Sequence, residues 1–242
     1  MARRSLAALQ AAARPRRWLL LRRPLAERRQ ALGELAGRAA GDARAARAVN
    51  QAWTVLLREG NGTLLADLAS QIERYRLGFA VENLVASFSV AALAEDPARV
   101  REAAVRAVAT LGLAAVPSLA RALLNGDVTA AAWALLGLRR IGLGKAMEAL
   151  AAWGRDAGAE ARERLAERLA STSQQSWGDL IDGLAAGLGG AAEARDLARQ
   201  VLSRLDPTQL ERECQRLWVA QRSSSSRTLL AELFDYAQEG LQ

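Results

Sequence analysis

Seven arginines near the start of the chain, Arg14, Arg16, Arg17, Arg22, Arg23, Arg28 and Arg29, stand out among the side chains able to do chemistry. A guanidinium carries a planar fork of donors that matches a phosphate or carboxylate at two points. Pairs at 16/17, 22/23 and 28/29 therefore read as a docking surface for an anionic partner. Trp18 and Leu19 to Leu21 lie between two of these pairs and add an apolar side, which suits peripheral contact with an anionic membrane surface. A second candidate is Trp133, offset from the Ala131, Leu135 and Leu138 stripe of its helix and so able to stack on a flat ligand. The missing types are equally informative. There is no histidine and one cysteine, Cys214, which excludes an imidazole general base, Ser-His-Asp and Cys-His nucleophiles and histidine-ligated metals. It also excludes an internal disulfide, a cysteine zinc site and an iron–sulfur cluster.

Other groups read as structural. Glu160, Glu163 and Glu167 alternate with Arg162, Arg164 and Arg168, so Glu160 and Arg164 are expected to pair across one helical turn on a solvated face. Asp179 and Asp182 are three apart on a short helix, a weak signal for a ligand nitrogen or a cation. The run Gly142-Leu143-Gly144-Lys145-Ala146 is no phosphate loop, because Arg139 stands where the first glycine belongs and Ala146 where Ser or Thr must follow the lysine. Gly183, Gly187, Gly189 and Gly190 read as close helix packing followed by a turn. Trp53, Trp153 and Trp177 fall in register with leucines and are expected to fill gaps between helices. Trp218, beside Leu217 and near Arg216 and Arg222, reads as a surface anchor. Cys214, in register with Leu210 and Leu217, reads as a small buried thiol.

The elements that must position these groups are helices. The chain is 51% hydrophobic and 5% aromatic, with Ala and Leu dominant and strand-forming residues scarce, which favours an all-α fold. Val100, Ala104, Ala107, Val108 and Leu111 share one helical face, with Asp96 as N-cap and Pro97 at the first helical position. Gly112 ends that helix, and Val116, Leu119 and Leu123 form a second one stopped at Asn125-Gly126. The pattern restarts at Asp127 with Ala131, Leu135 and Leu138, ended by Ile141-Gly142. Its partner carries Leu143, Met147, Leu150 and Trp153 and is expected to end at Gly154. Further helices follow the same rule around Leu165 and Leu169, Leu180 and Leu184, Leu197 and Val201, Leu210 after Asp206-Pro207, and Leu230 and Leu233. Upstream, Val49, Trp53 and Leu56, then Leu65, Leu68 and Ile72, then Val81, Leu84 and Phe88 read alike. Short helices paired across tight turns and recurring near 30 residues are the pattern of an α-solenoid.

The segment Asp96-Pro97-Ala98-Arg99-Val100-Arg101 through Gly112 to Val116-Pro117-Ser118-Leu119 resembles a HEAT-like repeat. The match covers residues 95–126 and loosens over 127–170, where Val128-Thr129 replaces the Val-Arg pair. The resemblance implies an α-solenoid of antiparallel helical pairs, a fold used mostly as a binding scaffold. Asp127-Val128 through Trp133 to Ile141-Gly142 is similar to repeats in the HEAT-like bilin lyases and chaperones of phycobilisome assembly. That likeness implies a bilin as cofactor, with Arg139 or Arg140 on a propionate and Trp133 on a pyrrole. Resemblance to the HEAT-type alkylpurine DNA glycosylases is poorer, since the repeat region is near neutral and holds no Trp-Val-Arg-Arg segment.

Charge divides the chain unevenly. Residues 1–47 hold twelve arginines and three acids, a balance of +9, and the rest balances at −2, within a net +7. The expected organisation is an Arg-rich helical segment over 1–47 and a HEAT-like domain over 48–242. Gln10, Arg14, Arg16 and Arg17 interrupt the apolar core that an export signal needs. No stretch is expected to span a membrane, the nearest being Phe79 to Ala94. With no disulfide, a cytoplasmic location is expected. The function expected is a non-catalytic adaptor, assembly factor or chaperone without a cofactor, binding a protein partner through an acidic surface on that partner. A bilin lyase-like enzyme and an electrostatic nucleic-acid binder are the alternatives; no sequence-reading DNA motif accompanies the charge.

Overall fold

The computed structural model describes residues 8–9, 24–90, 94–172, 177–220, 231 and 233. Among the described residues the chain is built of helices and turns, with no strand, so the fold is all-α. The elements in order are α1 (Leu25–Ala39), α2 (Ala43–Glu59), α3 (Gly62–Tyr75), α4 (Val81–Val90), α5 (Pro97–Leu111) and α6 (Val116–Asn125). They continue with α7 (Val128–Ile141), α8 (Leu143–Ala157), α9 (Ala159–Thr172), α10 (Trp177–Leu188), α11 (Ala192–Leu202) and α12 (Pro207–Ala220). Short 3-10 turns at Gly78–Ala80 and Gly112–Ala115 join α3 to α4 and α5 to α6.

Local chemistry sets most boundaries. The Asp42 carboxylate accepts from the Arg44 and Ala45 amides at 2.7 and 3.3 Å. Asp96 accepts from the Arg99 amide at 3.1 Å and Asp127 from the Ala130 amide at 2.7 Å. Asp206 accepts from Thr208 and Gln209 at 2.9 and 3.4 Å. Each satisfies an amide that the first helical turn leaves without a backbone acceptor. One expected terminus is wrong: α8 does not stop at Gly154 but runs to Ala157, and Gly158 ends it at φ 98. Gly154 is buried inside the helix, where an added Cβ would meet Arg162 of α9 at 3.4 Å. It is there for close packing and breaks nothing.

The chain divides into two compact units. The first comprises residues 1–118 and 126–137. Here α1 touches α2 and α3, α2 touches α3 and α4, α3 touches α5, and α4 touches α5. Its core holds Leu32 and Leu35 of α1, Val49, Trp53 and Leu56 of α2, Leu65, Leu68 and Ile72 of α3, Leu84 and Phe88 of α4, and Val100, Ala104 and Val108 of α5. Leu9 is buried with Ala31 of α1. The boundary expected between residues 47 and 48 falls inside α2, and residues 24–47 pack as part of this unit.

The second unit comprises residues 119–125 and 138–242. Here α8 touches α9, α10 and α11, α9 touches α11, and α10 touches α11 and α12. Glycines make the approaches close. A Cβ on Gly144 of α8 would lie 3.1 Å from Ala186, one on Gly183 of α10 would lie 2.8 Å from Leu143, and one on Gly187 would lie 3.0 Å from Ala198 of α11. The glycines of α10 therefore serve helix packing, as their context in the chain indicated. Trp177 is buried, but Trp153 is only half-buried, which corrects its expected place in the core. The turn of α8 that carries it runs into a solvated stretch, Arg155 to Glu160.

By length and composition the continuous run Pro97–Asn125 is apolar enough to cross a membrane, with a mean hydropathy of 1.7; half of that window is buried within the protein. Gly112, at φ 67, turns the backbone between α5 and α6. Core helices pass the same test because the alanines and valines that fill a core are those that dissolve in lipid.

Candidate functional site

Of the basic residues singled out by the sequence, Arg14, Arg16, Arg17, Arg22 and Arg23 lie outside the described residues. Arg28 and Arg29 sit on α1 and are used inside the first unit. The Arg28 guanidinium donates to Glu59 at the end of α2 at 2.7 Å, both side chains being largely covered. Arg29 donates to Asp67 of α3 at 2.5 Å in a more exposed pair. These ion pairs join α1 to its two neighbours, so within the unit both guanidiniums have a carboxylate partner.

Trp133 is half-buried on α7, in the part of that helix belonging to the first unit. Arg139 belongs to the second unit, where its Nε lies 2.5 Å from Asp179 Oδ2 of α10. The pair accounts for both of the residues that the sequence had offered to separate ligands. Arg140 is exposed at the end of α7, and Asp182 is also engaged. Cys214 is buried, and burial together with neighbouring Glu213 pushes its thiol up to about 11. The thiolate that would act as a nucleophile is thus disfavoured. Trp218 offers nothing to the description, as its side chain lies outside it.

The residues that do converge are ones the sequence assigned to a solvated face. In the second unit, a cleft of about 660 Å³ opens between α9 and the start of α12. One wall is a single stripe of α9: Glu160, Glu163, Arg164, Glu167, Ala170 and Ser171, positions three and four apart that helical periodicity places together. The other wall is the turn Arg204, Leu205 and Asp206 with Gln209 of α12, and Trp177 at the first turn of α10 completes the lining. A glutamate repeat at helical spacing was the available signal; only the tertiary packing sets it opposite Asp206.

The expected pairing of Glu160 with Arg164 does not form. Arg164 instead donates to the Leu124 carbonyl at 3.3 Å, and Arg204 bridges the Gln200 carbonyl at 2.7 Å and Glu163 at 3.3 Å. A backbone carbonyl at a helix end is fixed in place, whereas an exposed i,i+4 carboxylate contributes only a few tenths of a kcal/mol, so the fixed acceptor wins the guanidinium. Glu160 and Glu167 are left exposed, with no hydrogen-bond or ion-pair partner among the described residues. The Trp177 indole is buried, and its Nε1 also has no acceptor. Among the described residues no group of His, Cys, Asp or Glu is placed to hold a metal ion. The lining thus sets four carboxylates against two guanidiniums, with the buried Trp177 indole beside them.

No family model, curated protein or solved structure matches this chain.

Proposed function

We propose that the chain is a non-catalytic helical-repeat adaptor that holds another protein, with its arginine-rich N-terminal segment docking on an acidic surface of that partner. The observation that carries the reading is the pattern of helix neighbours within each unit. In the first, each helix packs on the next or the next but one, α1 on α2 and α3, α2 on α3 and α4, α3 on α5. In the second, the same steps join α8 to α9 and α10, α9 to α11, and α10 to α11 and α12, with one longer step from α8 to α11. Contacts made mostly between near neighbours in the chain support the α-solenoid reading, and a solenoid offers a macromolecule an extended surface. Residues 1–23 add seven arginines and no acid, charge that speeds encounter with an anionic partner and falls away with salt. The bilin alternative would require Arg139 to leave Asp179, 2.5 Å away, or Arg140 to take the propionate.

The test is a pull-down from the native host with the full chain and with a variant carrying Arg→Gln at 14, 16, 17, 22 and 23, each with and without nuclease. The reading expects a protein partner that survives nuclease and is lost with the variant. Equal recovery by both baits refutes the docking role. Loss on nuclease treatment replaces the protein partner with nucleic acid.

A further inference from the structure

We propose that the first unit contacts an anionic membrane surface through the rim where α3 and α5 end, with Phe79 and Leu113 entering the apolar boundary and Arg74, Arg76 and Arg106 on the headgroups. None of the N-terminal arginines that the adaptor reading invokes takes part. Helices α3 and α5 pack side by side and run parallel. The Glu95 amide before α5 donates to the Gly60 carbonyl before α3 at 3.0 Å, and the Thr110 hydroxyl near the end of α5 donates to Glu73 near the end of α3 at 3.4 Å. Parallel neighbours finish at the same edge, with axes about 8–10 Å apart. The chain leaves both by a 3-10 turn of like sequence, Leu77-Gly78-Phe79-Ala80-Val81 after α3 and Leu111-Gly112-Leu113-Ala114-Ala115-Val116 after α5. Leu77, Ala80 and Val81 of one turn and Ala115 and Val116 of the other are buried, whereas the large residue after each glycine stays outside, Phe79 at 39% and Leu113 at 51% exposed. A glycine followed by a large apolar residue does not do this by itself, since Leu143 after Gly142 in the second unit is 5% exposed.

The same edge carries cations that the unit does not neutralise. Arg74, Arg76 and Arg106 are exposed, and none has a carboxylate partner among the described residues. Glu73, the acid between them, accepts from Thr110. Arg76 is an independent sign. It caps α3 in the left-handed region at φ 50, the one non-glycine residue with positive φ among the described residues, where α2 uses Gly60. A side chain costs stability there, and an exposed residue kept in that state with no contact inside the chain points to a partner outside it. A bilayer fits these groups better than a nucleic acid. The Tyr75 ring is occupied, with the Arg74 guanidinium 5.6 Å over its centroid and its hydroxyl edge against Gly37 of α1, and Leu113 has no π face for a base. An acidic protein patch would answer the arginines and not the apolar tips. At an anionic leaflet, apolar groups sink to the acyl boundary while cations stay at the headgroups.

Vesicle co-sedimentation with the full chain tests this, every protein carrying Arg→Gln at 14, 16, 17, 22 and 23 so that the N-terminal arginines do not contribute. The vesicles are phosphatidylcholine alone or an equal mixture with phosphatidylserine. This parent is expected to sediment with the mixed vesicles only, and to be released as salt rises. F79S and L113S are each expected to weaken binding about fivefold, and R106Q by about the same factor. R76G should weaken binding about fivefold while raising the thermal unfolding midpoint, a split that a purely structural role for Arg76 does not produce. A parent that stays in the supernatant with mixed vesicles overturns the proposal, as does binding unchanged by F79S and L113S or unchanged by R76G and R106Q. Retention of single-stranded RNA by the parent in place of vesicles overturns it in favour of nucleic acid. Should F79S or L113S fail to fold, R76G and R106Q still decide the matter.

Discussion

Substituting Gly183 by alanine should destabilise the protein even though alanine is the better helix former, and the size of the effect follows from one contact. At an unconstrained helical position, Gly→Ala is worth about 1 kcal/mol in favour of the helix. Gly33 of α1 is such a position, since an added Cβ would meet nothing nearer than Gln71 at 3.9 Å. At Gly183 the same Cβ would stand 2.8 Å from Leu143 Cγ and 2.9 Å from its Cδ2, against about 3.5–4.0 Å for relaxed carbon contacts. Leu143 is 5% exposed at the first turn of α8, so making room moves a buried side chain and the helix start that carries it. Overpacking of this kind costs about 1–3 kcal/mol. G183A should therefore fall about 1–3 kcal/mol below G33A, which for a chain of this size is about 2–12 °C in Tm. Far-UV circular dichroism on heating and in urea reads both. Removing Leu143 with L143A costs about 2–5 kcal/mol alone, but in the G183A background it also relieves the clash. The double variant should be more stable than the two losses added by about 1 kcal/mol or more. A G183A midpoint equal to that of G33A, or additive losses, would refute the close-packing argument.

Further outcomes follow from other contacts. R28A should cost about 1–2 kcal/mol by leaving Glu59 without its covered partner, and R29A about 0–1 because its pair with Asp67 is more exposed; urea midpoints separate them. D42A should cost about 0.5–2 kcal/mol through loss of the α2 N-cap. The Cys214 thiol, pushed up to about 11 by burial and by Glu213, should resist a thiol reagent in the folded protein at mildly alkaline pH and react once urea unfolds it. Its folded value lies above the unfolded one, so its contribution is complete below the unfolded value of 9.0 and is lost as pH rises toward about 11. In that window the unfolded chain has released the proton and the folded one has not. Wild type should lose stability against C214A across it, and parallel curves would contradict the assignment.

The candidate site was the least legible part of the chain. Glu160, Glu163 and Glu167 announce a helix face, and a helix face of alternating charge is usually solvated. What turns it into one wall of a cleft is the return of the chain through α11, which sets Asp206 and Arg204 opposite, a contact between residues about 40 positions apart. The same distance in sequence hid the partner of Arg139: Asp179 was visible, and so was the arginine, but each was weighed for a ligand because neither names the other. Arg28 and Arg29 were read with the rest of the basic segment for a like reason. Composition sees their charge, and only packing shows that Glu59 and Asp67 neutralise it.

Short-range chemistry, by contrast, was written in the residues themselves. Asp96-Pro97, Asp127 and Asp206-Pro207 start helices because a carboxylate reaches an amide two or three residues on, and Gly112 and Gly142 end them because a positive φ costs glycine little. Apolar residues three and four apart named most of the core, from Trp53 and Phe88 to Leu197 and Val201. Gly154 marks the limit: a glycine near the expected end of a helix reads as its stop, and only the approach of Arg162 from α9 shows that the missing side chain is spent on contact. Helix type, capping and buried faces are local and could be read along the chain; which face meets which, and which charge meets its opposite, depends on contacts dozens of residues apart and was decided by the packed structure.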